Sequence, residues 1–294
     1  MPQTVVFLHA HPDDETLLTG GTIALLAEQG VNVVVITATD GAAGLASTDA
    51  VADQDLSQVR SRELDLATKI LGVSEVISLG YADSGLDGQG SSSISGHVVE
   101  GAAAPFVQVP LDEVAERVAA LVVERDSIFI VGYDPSGGYG HPDHVRISEL
   151  GRAVAERTGV RLLEASLPRE PYAAVANVIA NVARYITPLR KVDVSSWEQA
   201  YLPKSELFLR VDVREQAKLK RAALKAHASQ ATGGPRTISM MRAVPIDLYK
   251  RLFGVEWFAY PVWADGLWEY QLSHKDRSRT SFIDFVREAQ EATR

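Results

Sequence analysis

The chain has 294 residues, 46% of them hydrophobic and 23% charged, with no cysteine and a formal net charge of −9. That composition excludes a disordered chain, a collagen, a disulfide scaffold, a thiolate metal site and a cysteine nucleophile. The acidic balance gives little long-range attraction for nucleic acid or anionic lipid, so a solvated cytoplasmic protein is expected.

The first half alternates strand and helix signals. Thr4–His9 is a short apolar, β-rich run, and Leu17–Gln29 has helical apolar spacing closed by Gly30. Val31–Thr37 reads as a second strand, Ser57–Leu71 as a helix stopped by Gly72, and Val76–Leu79 as a third strand. A helix over Leu111–Glu124, a strand over Ser127–Val131, a helix over Pro142–Arg157 and a strand over Val160–Ala165 follow. Near-continuous apolar strands separated by helices imply a parallel sheet covered on both faces. The fold expected is α/β, a Rossmann-like doubly wound sheet of order 3-2-1-4-5. Thr39–Asp55 and Asp83–Gly101 are small, polar and glycine-rich and read as loops at the C-terminal ends of strands. Beyond about residue 165 prolines break the rhythm; a helix is expected over Val211–Leu224 and an aromatic cluster over 257–270. Residues 1–165 read as the catalytic core, and 166–294 as a smaller mixed region packed on the sheet and completing the pocket of one unit. No window holds the ~20 apolar residues of a membrane helix. The Met1–Thr4 start has no basic region, so no signal peptide and no membrane insertion are expected.

Two constellations carry chemistry. Immediately after strand one comes His11-Pro12-Asp13-Asp14-Glu15, a helix start with one imidazole, three carboxylates and no glycine cradle. Such a corner repels anionic cofactors and attracts a cation. Immediately after strand four comes Tyr139-Gly140-His141-Pro142-Asp143-His144, with proline suited to the first helical position and two imidazoles three residues apart. In the order 3-2-1-4-5 the chain reverses between strands one and four, so both corners face one crevice. Two imidazoles and a carboxylate with a vacant position form a catalytic zinc arrangement; iron(II) shares the ligand preference, and both metals stay open. Taken singly, each motif also reads as a helix cap. His9 reads as a core histidine, His227 as structural, His97 as a surface residue, and the 257–270 aromatics as packing. Glu15 divides evenly between orienting a metal histidine and favouring the helix dipole.

With these residues the chain resembles the LmbE-like, or PIG-L-type, zinc-dependent N-acetylglucosamine deacetylases. Arg60-Ser61-Arg62-Glu63-Leu64, Leu79-Gly80-Tyr81-Ala82-Asp83-Ser84-Gly85-Leu86 and Ala226-His227-Ala228-Ser229-Gln230 support the resemblance. It implies one zinc on His11, Asp14 and His144, with Asp13 as the general base. It implies that His141 stabilises the tetrahedral intermediate or protonates the leaving amine, that Tyr139 lies near the oxyanion, and that Arg60 and Asp83 bind substrate. The activity implied is removal of an acetyl group from an amino sugar or its conjugate, a small-molecule partner; a homo-oligomer is compatible with the sequence. The alternatives are an amidase acting on a sugar–thiol conjugate, another metal hydrolase such as a phosphoesterase, or a non-catalytic sugar-binding protein of the same fold.

Overall fold

The structure, a computed structural model, describes residues 3–43, 55–86, 88, 103–174, 200–231 and 237–261. The strands are β1 (Thr4–His9), β2 (Asn32–Thr39), β3 (Glu75–Tyr81), β4 (Ser127–Tyr133), β5 (Arg161–Ser166), β6 (Leu207–Asp212) and β7 (Val255–Ala259). The main helices are α1 (Asp14–Glu28), α2 (Leu56–Leu71), α3 (Leu111–Glu124), α4 (Pro142–Thr158), α5 (Ala217–Ala226), α6 (Thr237–Ala243) and α7 (Ile246–Phe253). One sheet joins the strands in the order β3-β2-β1-β4-β5-β7-β6. The first five are parallel, as the doubly wound expectation requires, and β7 pairs antiparallel with both β5 and β6.

β1 runs through the middle and is buried on both faces, which is why its sequence is apolar without alternation. Val5 and Phe7 point to one side and pack with Ile23 and Leu26 of α1, Ala67 and Leu71 of α2 and Ala223 of α5. Val6 and Leu8 point to the other and pack with Val114 and Val118 of α3 and Ile147 and Leu150 of α4. This period-two division of one strand between two layers fixes α1 on one face and α4 on the other. The N-termini of both helices therefore meet above the C-terminal ends of β1 and β4.

Two helix expectations need correction. The first helix begins at Asp14, not Leu17, because Asp14 and Glu15 are acidic groups suited to a helix N-terminus. The helix expected over Val211–Leu224 starts only at Ala217. Residues 207–212 form β6, with Leu209 and Val211 buried on its inner face. The region after residue 165 packs on the sheet and also extends it through β7 and β6. The 257–270 aromatics are described only to Tyr260: Phe258 lies in the core, Trp257 packs under Arg210 and Tyr260 against Phe208, as the packing reading expects. Trp263, Trp268, Tyr270, His97 and most of the two glycine-rich loops lie outside the described residues. Among the described residues, no helix is long and apolar enough to cross a membrane.

β7 also reaches α1 through a buried carboxylate. Glu256 accepts the backbone N–H groups of Gly21 (2.8 Å) and Thr22 (2.7 Å) and pairs with Lys220 Nζ at 2.7 Å. Gly21 is required there, since a Cβ would lie 2.4 Å from Val213. Removing one member of a buried pair strands the other. Glu256→Ala is expected to lower stability by about 3–5 kcal/mol in chemical denaturation. Arg214→Ala, which breaks an exposed pair with Asp212, is expected to change it by about 0–1 kcal/mol. Equal losses in the two variants would contradict the buried-pair account.

Candidate active site

The chain leaves β1 through Ala10 and His11 and enters α1 at Asp14, with Asp13 as the residue before the helix. The backbone N–H of His11 donates to Asp14 Oδ2 at 2.9 Å, which folds the carboxylate back toward the His11 ring. The second corner leaves β4 through a single helical turn, Gly137–Gly140, and enters α4 with His141 as its cap and Pro142 in its first turn. Gly137 has φ +61°, and a Cβ on it would lie 2.5 Å from the backbone nitrogen of Val145. Only glycine lets this turn lie flat on the start of α4.

The two corners converge on three atoms. His11 Nδ1 lies 3.3 Å from Asp14 Oδ2, His144 Nε2 lies 3.3 Å from the same oxygen, and the two nitrogens are 3.3 Å apart. Around a tetrahedral ion with ligands ~2.0–2.1 Å away, ligand atoms sit about 3.3–3.4 Å from each other. The triangle therefore has the edge length of a tetrahedral metal site. All three residues are buried. Burial opposes charge on His11, but the carboxylates of Asp14, Asp143 and Asp83 outweigh it and raise its pKa well above the ordinary value. Burial likewise opposes ionisation of Asp14, yet His144 and His11 hold its carboxyl well below the usual range. A cation replaces a proton in such a cluster without changing its charge logic.

The second nitrogen of His11 supports the same reading. Its Nε2–H donates to Asp143 Oδ2 at 3.1 Å, and that oxygen also accepts the Ser84 N–H at 3.0 Å. A carboxylate behind an imidazole fixes the tautomer and turns the other nitrogen outward as a ligand. Glu15, for which this role and the helix dipole were equal readings, bonds His227 and the backbone of Asp13, and the carboxylate on His11 Nε2 is Asp143. Asp143 stood within the second motif without a role; asking where the far nitrogen of His11 goes would have found it. Its other oxygen, Oδ1, is buried without a hydrogen-bond partner among the described residues, as befits a corner built for positive charge.

His141 differs from the other two histidines. It too offers a ligand atom within 4.8 Å of His11 and His144. However, its Nδ1 accepts the backbone N–H of Asp143 at 3.2 Å, which leaves the proton of the neutral ring on Nε2. Burial, reinforced by His11 and His144, pushes its pKa down to about 4, so the ring is a neutral donor. Tyr139 is 45% exposed and lies over the histidines, its ring 5.0 Å from that of His144 and 6.1 Å from that of His141. Asp13 is outside the triangle; burial, opposed by Arg60, pushes its carboxyl up to about 6.

Arg60 and Asp83, for which the resemblance implies substrate binding, are also held by groups of the chain itself. Arg60 is 3% exposed, donates to the carbonyls of Pro12 and Gly41 and pairs with Asp13 Oδ2 at 3.3 Å. Asp83 lies 3.5 Å from His11 Nε2 and accepts the Gly85 N–H; burial opposes its charge, but these contacts hold it at about 2. His9 is a core residue as expected, bonded to Tyr133 Oη at 3.0 Å and Thr19 Oγ1 at 3.1 Å. Tyr133, unforeseen from the sequence, packs its ring 4.7 Å from His144.

Residues 6–155 match the family model described as PIG-L, GlcNAc-PI de-N-acetylase. The chain belongs to the PIG-L family. A relative from Saccharomonospora viridis, named 1D-myo-inositol 2-acetamido-2-deoxy-alpha-D-glucopyranoside deacetylase, is 34% identical over 82% of this chain and 90% of its own length. An N,N'-diacetylchitobiose deacetylase from Pyrococcus horikoshii shares the fold, with a TM-score of 0.52, 19% identity and coverage of 88% of this chain and 82% of that one. A 4-carboxy-2-hydroxymuconate hydratase from Pseudomonas putida does so equally, with a TM-score of 0.52, 16% identity and coverage of 92% and 98%. The PIG-L fold therefore does not by itself set the reaction; the site must.

The geometry predicts one equivalent of bound zinc per chain by calorimetric titration, retained in His141→Ala and lost in His144→Ala. Loss in His141→Ala with retention in His144→Ala would contradict the triangle.

Proposed function

We propose that this PIG-L protein is a zinc-dependent hydrolase that removes the N-acetyl group from an N-acetylglucosamine-type amino sugar or its conjugate. The observation that carries the reading is the 3.3 Å triangle of His11, Asp14 and His144 with a second carboxylate, Asp13, beside it but outside it. The residue types fit zinc: two imidazoles and one carboxylate, which leave a fourth position open. The deacetylase relative, at 34% identity over most of both chains, supports an acetamido sugar as substrate.

When bound, zinc supplies a Lewis acid that brings the pKa of water to about 7 and polarises the acetyl carbonyl. Asp13 takes the proton from the attacking water, as a carboxyl with a pKa of about 6 is suited to do near neutral pH. The Nε2–H of His141 donates to the oxygen on which charge develops, because its neutral tautomer is held by the Asp143 N–H. The proton required by the leaving amine returns from Asp13, which took it from the attacking water. The Tyr139 hydroxyl, at the exposed mouth, adds a donor for the oxyanion or the sugar. Arg60 and Asp83 act in this reading from behind, Arg60 through Asp13 and Asp83 through His11. Residues 1–165 hold the catalytic groups and 166–294 complete the pocket, a division supported by the Tyr201 N–H donating to the Gly138 carbonyl at 2.8 Å.

An assay of acetate release from a panel of N-acetylglucosaminyl compounds, with zinc quantified on the same sample, tests the reading. Release is expected to stop on chelation and return with zinc. Asp13→Asn is expected to keep its zinc and lose about 10²–10⁴-fold in kcat. Turnover of Asp13→Asn at the parent rate would remove Asp13 from the base role, and acetate release indifferent to chelation would remove the metal.

A further inference from the structure

Asp13 has φ +134°, a backbone conformation that a residue with a side chain rarely adopts. Such strain persists only where neighbouring groups enforce it. Here the enforcing groups come from both sides. Arg60 holds the Pro12 carbonyl and the Asp13 side chain. The backbone N–H of Asp13 is held by Glu15, whose Oε2 accepts it at 2.9 Å. The other oxygen of Glu15 accepts His227 Nε2–H at 2.7 Å and the Thr16 hydroxyl at 2.6 Å.

Glu15 and His227 are both fully buried at 0% exposure, and neither belongs to the triangle of ligand atoms. Burial opposes charge on each, but the pairing outweighs it: His227 lowers the carboxyl of Glu15, and Glu15 raises the imidazole. His227 Nδ1 is buried with no hydrogen-bond partner among the described residues. An imidazole kept dry with one nitrogen unsatisfied has a single polar contact to justify its place, the one to Glu15. Its position is pinned in turn, because Ser229 donates through both N–H and Oγ–H to the two oxygens of Glu63 on α2, each at 2.7 Å.

We propose that Glu15 and His227 are positioning residues for Asp13: the buried pair locks one carboxylate oxygen on the Asp13 N–H and so keeps the base in its strained conformation. The inference rests on Asp13 being the general base of the proposed hydrolase. Without His227 the Glu15 carboxylate loses the imidazole donor that holds its Oε1, and it turns away from the Asp13 N–H. The Asp13 backbone then relaxes and its carboxyl moves off the attacking water.

Glu15→Gln tests this with little change in shape. The amide has one acceptor where the carboxylate has two, so an NH2 group faces either the Asp13 N–H or His227. Glu15→Gln is expected to lose about 10²-fold in kcat, as for a misplaced catalytic group, with KM and zinc content unchanged. Amide hydrogen exchange at Asp13, followed by NMR, is expected to quicken by about tenfold or more. His227→Gln, which keeps a donor toward Glu15, is expected to retain most of kcat, whereas His227→Asn, too short to reach, repeats the Glu15→Gln defect. The proposal is overturned if exchange at Asp13 and kcat stay at parent values in Glu15→Gln, or if zinc is lost in step with activity. Should Glu15→Gln not fold, the contrast between His227→Gln and His227→Asn decides by the same readouts. If the parent chain releases acetate from no compound in the panel, the hydrolase reading fails, and the exchange rate at Asp13 still decides whether the pair holds that backbone.

Discussion

Three side-chain atoms from two remote corners of the chain, each 3.3 Å from the others, are the constraint on which the site depends. Two nitrogens and a carboxylate oxygen packed this closely, out of water, need a shared proton or a shared cation between them. The fold supplies the closeness. β1 and β4 are parallel neighbours, and the helices that follow them lie on opposite faces of the sheet. The crevice between those helix starts is where an open α/β sheet takes ligands. Acidic residues open α1 and histidines open α4, so the crevice suits a cation better than a phosphate.

Around the triangle, hydrogen bonds distribute distinct tasks among residues of the same type. His11 and His141 differ by what their other ring nitrogens touch. His11 donates to Asp143, which turns its Nδ1 toward the triangle, whereas His141 accepts a backbone N–H, which leaves it a donor. The adjacent carboxylates differ in the same way. Asp14 accepts the His11 N–H and faces the imidazoles, while Asp13 is held aside between Arg60 and Glu15. The C-terminal part of the chain takes a share in this arrangement: Glu256 holds the middle of α1 and His227 holds Glu15 at its start.

Much of this was legible in the sequence, and the remainder was hidden for physical reasons. The order of the five parallel strands follows from alternation and the handedness of crossovers. The corner residues are visible because imidazoles and carboxylates at strand ends are few. β6 was hidden because Leu207-Phe208-Leu209-Arg210-Val211 leads into a helical stretch without a breaker, and its pairing partner lies near residue 257. The resemblance implied a substrate contact for Arg60; its burial against the Pro12 and Gly41 carbonyls was hidden because it depends on how α2 packs. Glu15 is acidic at a helix start under either reading, and only the fold shows that its partner comes from 212 residues away.

The central claim is most directly tested by a crystal structure of the zinc-loaded protein with anomalous data collected on both sides of the zinc edge. The account predicts one ion about 2.0–2.2 Å from His11 Nδ1, Asp14 Oδ2 and His144 Nε2, with Asp13 not ligating. An ion seated instead among His141, Asp83 and Asp143, or coordinated by Asp13, would contradict it.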